Sequence, residues 1–188
     1  MADLSLTTAR LELVAGTARH SRAEIDDRQE FSRLLGARVP ENWPPPLNDA
    51  DSMEWSARYH EEHPDANGWN QWYFILLADP QGERRAIGIG GFKGKPTPDG
   101  TAEIGYSVME DDQRHGYATE AVAGLLVWAF EHAEVRRVIA ETFPELKPSI
   151  RVLEKSGFSL VAEEGSEPGV IRFELTRESF EAGRGGKP

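Results

Sequence analysis

The chain has 188 residues, 39% hydrophobic and 28% charged, with a formal net charge of −11. That length fits one domain with a full core, and the absence of cysteine excludes disulfides, thiolate metal sites and a cysteine nucleophile. The acidic balance argues against a nucleic-acid surface, which needs a basic face to neutralise phosphate; acidity is also a common route to solubility. No apolar run approaches membrane-spanning length, and Met1-Ala2-Asp3-Leu4 lacks the basic and apolar regions of a signal peptide. The expectation is a cytoplasmic protein without membrane contact.

In chain order, Arg10-Leu11-Glu12-Leu13-Val14 alternates and predicts a first strand. Thr17 can cap a charged surface helix over 18–35, stopped by Gly36. The proline-rich stretch 40–46, with Trp43 inside it, predicts a loop, and Asn48 or Asp49 starts a second helix to about His63. Trp72-Tyr73-Phe74-Ile75-Leu76-Leu77 is the strongest β run, closed by the turn Asp79-Pro80-Gln81-Gly82. Residues 85–92 then pair back, and a Pro/Gly turn at 95–100 leads into a strand over 102–108. These three strands predict an antiparallel meander.

Beyond Glu110, apolar residues fall at Ala118, Ala121, Val122, Leu125, Leu126, Ala129 and Phe130, the spacing of a helix with one buried face. Gln113 and Gly116 stand at its start. A helix start presents unpaired N–H groups and the positive end of the macrodipole, and a glycine lets a ligand approach the backbone. Such a place suits a phosphate or pyrophosphate. Residues 137–142 predict a strand reached by helical crossover, hence parallel to its predecessor. A short helix over 149–156 ends at Gly157, and 158–162 with 170–175 form a last hairpin. The Gly-rich end predicts a disordered tail over 182–188.

Gln113-Arg114-His115-Gly116-Tyr117-Ala118 resembles the acetyl-CoA-binding signature of the GNAT acyltransferase family, Gln/Arg-x-x-Gly-x-Gly/Ala, with each defined position filled. The stretch 147–158 is similar to that family's second cofactor motif, commonly Asn-x-x-Ser followed by a short helix and Gly-Phe. Ser149, Gly157 and Phe158 match, whereas Leu146 stands where the asparagine would fall. The resemblance runs from about Trp72 to Leu175; the first 70 residues match only in helical layout.

The resemblance implies an α/β, GNAT acyl-CoA N-acyltransferase fold, a mixed, mostly antiparallel twisted sheet flanked by helices, as a single domain over 1–181. It implies acetyl-CoA as cosubstrate and transfer of acetyl to a primary amine by direct attack in a ternary complex. The cofactor's pantetheine arm would lie along the strand ending at Val108, touching the main chain of Val108, Met109 and Glu110. Gln113, Arg114, His115, Gly116, Tyr117, Ala118 and Thr119 would form the pyrophosphate nest, with Arg114 neutralising charge. Glu103 stands where several relatives place their base, and is otherwise a solvent-facing strand residue; Glu141 is the second choice. The tyrosine that often protonates the leaving thiolate is missing from 150–158. Ser149 offers a hydroxyl there, or caps its helix.

Other features have plainer readings. His60 and His63 have a metal-pair spacing but no third ligand, so no metal is expected. The glycines of 88–94 lack the spacing and following helix of a dinucleotide loop. Trp43, Trp55, Trp69 and Trp72 either line an acceptor pocket or fill the core. The order of elements looks most like the branch containing ribosomal-protein N-terminal (alanine/serine) acetyltransferases, which makes a peptide N-terminus a reasonable acceptor. Roughly a sixth of α-amines are uncharged at neutral pH, against about one lysine in a few thousand. The alternatives are a small-molecule amine (polyamine, amino sugar or antibiotic) and a non-catalytic acyl-CoA-binding module. Monomer and homodimer both stay open.

Overall fold

The computed structural model describes residues 4–185. The apolar runs become β1 (Ser5–Thr7), β2 (Leu11–Ala15), β3 (Gln71–Leu76), β4 (Arg85–Phe92), β5 (Thr101–Val108), β6 (Arg137–Thr142), β7 (Ser159–Ala162) and β8 (Ile171–Thr176). They form one sheet in the order β1-β2-β3-β4-β5-β6-β8-β7. Every neighbouring pair is antiparallel except β5 and β6. That exception follows from connectivity: helix α4 (Tyr117–Glu131) lies between them and returns the chain to the same end of the sheet. The meander and the parallel step agree with the sequence reading. β1 was not expected, because three residues carry no readable period. The last hairpin forms, but β8 inserts between β6 and β7, a long-range pairing invisible locally.

Helices α1 (Ala18–Asp26) and α2 (Arg28–Leu35) replace the single helix expected over 18–35. Asp27 divides them: its extended backbone ends the first, and its carboxylate accepts from the amides of Gln29 and Glu30 to start the second. Gly36 closes α2 in the left-handed conformation, as predicted. Helix α3 (Ala50–Glu62) is capped by Asp49. Helix α5 spans Lys147–Lys155, and α6 spans Arg177–Gly185. The tail expected from 182 is therefore helical as far as Gly185; residues 186–188 lie outside the described residues.

Alternation along the strands separates two faces. Leu11, Leu13, Trp72, Phe74, Ile87, Ile104, Val138 and Phe173 pack with Ala121, Val122, Leu125 and Leu126 of α4 and Leu153 of α5 in the main core. On the opposite face, Val14, Tyr73, Ile75 and Ile89 are covered by Ala23, Phe31 and Leu35 of α1 and α2. Over β6 and β8 that second face carries ion pairs, Glu141–Arg172 and Arg137–Glu174, in place of an apolar cluster. One half of this face is thus closed by helices and the other is polar.

Candidate active site

The pairing of β5 with β6 stops early. Its register covers Thr101↔Arg137, Ala102↔Val138 and Glu103↔Ile139, whereas β5 stays paired with β4 as far as Val108. Beyond Glu103 the two parallel strands part into a V. Glu103 O accepts from Lys93 N and Met109 N donates to Ile87 O, so the odd-numbered residues of this stretch turn their main-chain groups to β4. The even-numbered residues consequently turn theirs away from β4: Ile104 still meets β6 at the Glu103↔Ile139 rung, and Tyr106 and Val108 face the V. This is an open strand edge inside the molecule, suited to an extended ligand that adds to it. Of the three main-chain contacts expected here, Met109 has both groups engaged already, donating to Ile87 O and accepting from Asp112 N. The Val108 carbonyl accepts from Gln113 Nε2 at 3.1 Å. Glu110 is exposed, at the start of the 3-10 turn Glu110–Asp112.

The signature loop closes one end of the V. Arg114 (φ 67°) and Gly116 (φ 83°) both take the left-handed conformation, flanking His115. For arginine that conformation costs about 1–2 kcal/mol, so the loop is held open against a local preference. Three contacts hold it. Arg85 binds Asp112 with two hydrogen bonds, one of 2.7 Å, and this pairing keeps the arginine's pKa above its usual value. Arg10 donates to His115 O at 3.0 Å and lies 4.5 Å over the Tyr117 ring. Glu120 accepts from Thr8 Oγ1 (2.6 Å) and from Arg10 Nε (2.7 Å). Burial pushes the Glu120 carboxyl up, but these bonds outweigh it and hold it below its usual pKa. Gln113, Arg114, His115 and Gly116 are exposed; Tyr117, Ala118 and Thr119 form the first turn of α4. No side chain caps that turn. Arg10, Arg85 and Glu120 were not singled out in the sequence; they lie 105, 27 and 112 residues from the partners they bind here.

The other wall is α5. It begins at Lys147, earlier than predicted, with Leu146 at the N-cap and no side-chain cap. Ser149 therefore sits inside the first turn and does not cap. Its carbonyl accepts from the Tyr106 hydroxyl at 3.1 Å, and its Oγ lies 3.3 Å from the same oxygen. Tyr106 thus crosses the V from β5 to α5, its phenol pushed up to about 12 by burial, against a smaller opposing effect of Ser149. A tyrosine hydroxyl does reach the start of this helix, from the opposite wall and 43 residues away.

On the polar face of β5, Glu103, Gly105 and Ser107 follow one another. Glu103 forms an ion pair with Lys93. Ser107 Oγ donates to Pro46 O, tying the proline loop to β5. Glu141, the second candidate base, is enclosed: Arg172 donates to its Oε1 from two nitrogens (2.9 and 2.7 Å), and Ser166 binds it through both N and Oγ. Burial raises the Glu141 pKa, but Ser166 and Arg172 outweigh it and leave it lowered. Its oxygens are engaged in holding β6 to β8 and the Ser166 loop.

The family model described as "Acetyltransferase (GNAT) domain" matches residues 19–159. The chain belongs to the GNAT acetyltransferase family. The N-acetyltransferase YjdG of Bacillus subtilis (strain 168) is 28% identical over 141 residues, 73% of this chain and 79% of that protein. The solved structure of the ribosomal L7/L12 alpha-N-protein acetyltransferase RimL with coenzyme A shares the fold, with TM-score 0.64 and 16% identity over 94% of this chain and 99% of that one. The aminoglycoside acetyltransferase AAC(6')-Ib with coenzyme A does so at TM-score 0.61 and 22% identity, over 93% of this chain and 99% of that one. As a GNAT protein the chain is an N-acetyltransferase that uses acetyl-CoA.

The residues present fit that cosubstrate. The start of α4 has no side-chain cap and follows the left-handed pair Arg114 and Gly116, so its main-chain N–H groups would be available to the pyrophosphate. The edge at Tyr106 and Val108 would offer main-chain partners to an amide-bearing arm. Most of the remaining sequence candidates have structural roles. His60 Nδ1 lies 2.8 Å from Ser21 Oγ, and His63 stacks on Tyr59 at 4.4 Å. No metal-holding cluster occurs among the described residues. Trp69 and Trp72 pack on Trp128 in the core, and Trp43 donates to Glu24, whereas Trp55 is exposed and stacks on Tyr59. Among the described residues no helix is long and apolar enough to cross a membrane.

Proposed function

We propose that this GNAT enzyme acetylates the α-amine of a peptide or protein N-terminus, with Glu103 as base and the hydroxyls of Tyr106 and Ser149 facing the departing sulfur. When bound, acetyl-CoA supplies the thioester whose C–S bond is exchanged for an amide C–N bond. The loop 113–119 anchors the pyrophosphate, and the β5 edge orients the arm so that the carbonyl meets the polar face at Gly105. Glu103 takes the proton lost by the attacking amine, directly or through water. A hydroxyl of the Tyr106–Ser149 pair returns a proton to sulfur.

The observation that supports an α-amine is the Glu103–Lys93 ion pair beside the open position of Gly105. A carboxylate that already pairs with an ammonium suits an acceptor of which an appreciable fraction is uncharged on arrival. At neutral pH that describes α-amines far better than lysine side chains. The test is release of thiol from acetyl-CoA with peptides of free or blocked N-terminus, beside a polyamine and an aminoglycoside. Turnover confined to free-N-terminus peptides is expected. Turnover of the small amines alone would overturn the peptide assignment.

A further inference from the structure

The glycines of β4 and β5 differ in why they are glycine. A Cβ at Gly88 would lie 2.7 Å from Ser107 O, and at Gly90 it would lie 2.5 Å from the Phe74 ring. At Gly91, with φ 140°, it would collide with Asn70 O. The protein itself imposes all three. Gly105 stands apart: a Cβ there would meet nothing within 4 Å, its φ is outside the left-handed range, and the residue is exposed. A strand-interior glycine gives up side-chain packing and costs conformational entropy, and it often marks a close approach by a ligand. Here nothing within the protein demands it.

Its place says what does. Gly105 lies two residues beyond Glu103, where pairing with β6 ends and the V opens. On the same face its neighbours are both occupied, Glu103 by Lys93 and Ser107 by Pro46 O. The Cα atoms of those neighbours are about 13 Å apart at about 3.3 Å per strand residue. Between those two occupied positions Gly105 leaves the face uncovered.

We propose that Gly105 is the opening that receives the carbon bearing the acceptor's amine, so that its missing side chain sets how much bulk beside the amine is accepted. This rests on the α-amine reading and deepens it: the acceptor is an amine on a substituted carbon, such as a peptide's first residue. Glu103 stays beside the nitrogen, and the substituents take the space a side chain at 105 would fill.

The test measures binding of acetyl-CoA and of CoA joined through an S-acetyl linker to glycinamide, alaninamide, valinamide or a linear diamine. Wild type, Gly105→Ala and Gly105→Val are compared by calorimetry, with thermal midpoints as the folding check. Both variants should keep the wild-type midpoint or exceed it, since the position is unstrained and empty, and any loss of acetyl-CoA affinity should be smaller than the loss on the valinamide conjugate. Gly105→Val should lose at least tenfold on the valinamide conjugate and less on the glycinamide one, with Gly105→Ala in between. Unchanged affinity for every conjugate in both variants would overturn the proposal. Should wild type favour the diamine conjugate and Gly105→Val lose that preference, the opening stands and the peptide acceptor falls.

Discussion

Two halves of one sheet are built to opposite rules. From β2 to β4 the ladders run the length of the strands, and α1, α2 and α3 each begin with a side-chain cap, from Thr17, Asp27 and Asp49. Around β5 and β6 the ladder stops after three residue pairs, and the two bordering helices, α4 and α5, begin without a side-chain cap. One half completes its ladders and caps its helices; the other leaves main-chain groups turned toward a space. The difference teaches where function resides: a fold that can cap its helices and complete its ladders has left both undone in one place.

The largest expected effect breaks the open half chemically and leaves it physically intact. Glu103→Gln should lower turnover by about 10²–10⁴-fold while acetyl-CoA affinity stays at the wild-type value. Unchanged turnover would remove Glu103 as base. Next, Gly116→Val puts a β-branched residue at φ 83° in the phosphate loop. It should weaken CoA by about 100-fold, near 2.7 kcal/mol, read by calorimetry. A loss of thermal stability without loss of affinity would show that the loop's shape serves the fold alone.

The closed half breaks through pH. His60, buried between α1 and α3, has its pKa lowered to about 4 by burial and, secondarily, by His20. Its folded value lies below the unfolded one, near 6.5, so the unfolded chain binds the proton more readily. This stability is present above pH 6.5 and is lost as pH falls toward 4, a few kcal/mol at about 1.4 per unit. Nearby Glu24, raised by burial against bonds from Tyr73, Trp43 and Gln71, acts with the opposite sign, favouring the folded state at lower pH. His60→Gln should therefore flatten the fall of the thermal midpoint between pH 6.5 and 4; an unaltered slope would exclude His60 as its source. The smallest effect belongs to Asp27→Ala, which removes the cap dividing α1 from α2. It should cost about 1 kcal/mol in denaturant unfolding and leave CoA binding untouched.

Legibility in the sequence divides along the same line. The strands of the meander, the crossover and the signature loop are local patterns, and they were readable because period and turn chemistry act over a few residues. Asp27 was readable in principle, since Asp27 followed by Glu30 is a capping pattern inside an otherwise continuous helical run. What escaped was non-local. The Tyr106–Ser149 contact spans 43 residues, and the Thr8 and Arg10 clasp on Glu120 spans more than 100. No residue type marks those partners; only the folded sheet brings them together. Of the two roles open to Ser149, the cap is excluded because α5 begins two residues earlier, at Lys147 and Pro148, which carry no cap signal of their own.

The most direct test of the open half is amide hydrogen exchange with and without coenzyme A. Protection should rise at Tyr106 and Val108 and at Tyr117, Ala118 and Thr119, while α1 to α3 and β2 to β3 exchange as before. Protection confined to the helical half, or unchanged exchange along β5 at saturating ligand, would contradict the placement of the cofactor in the V.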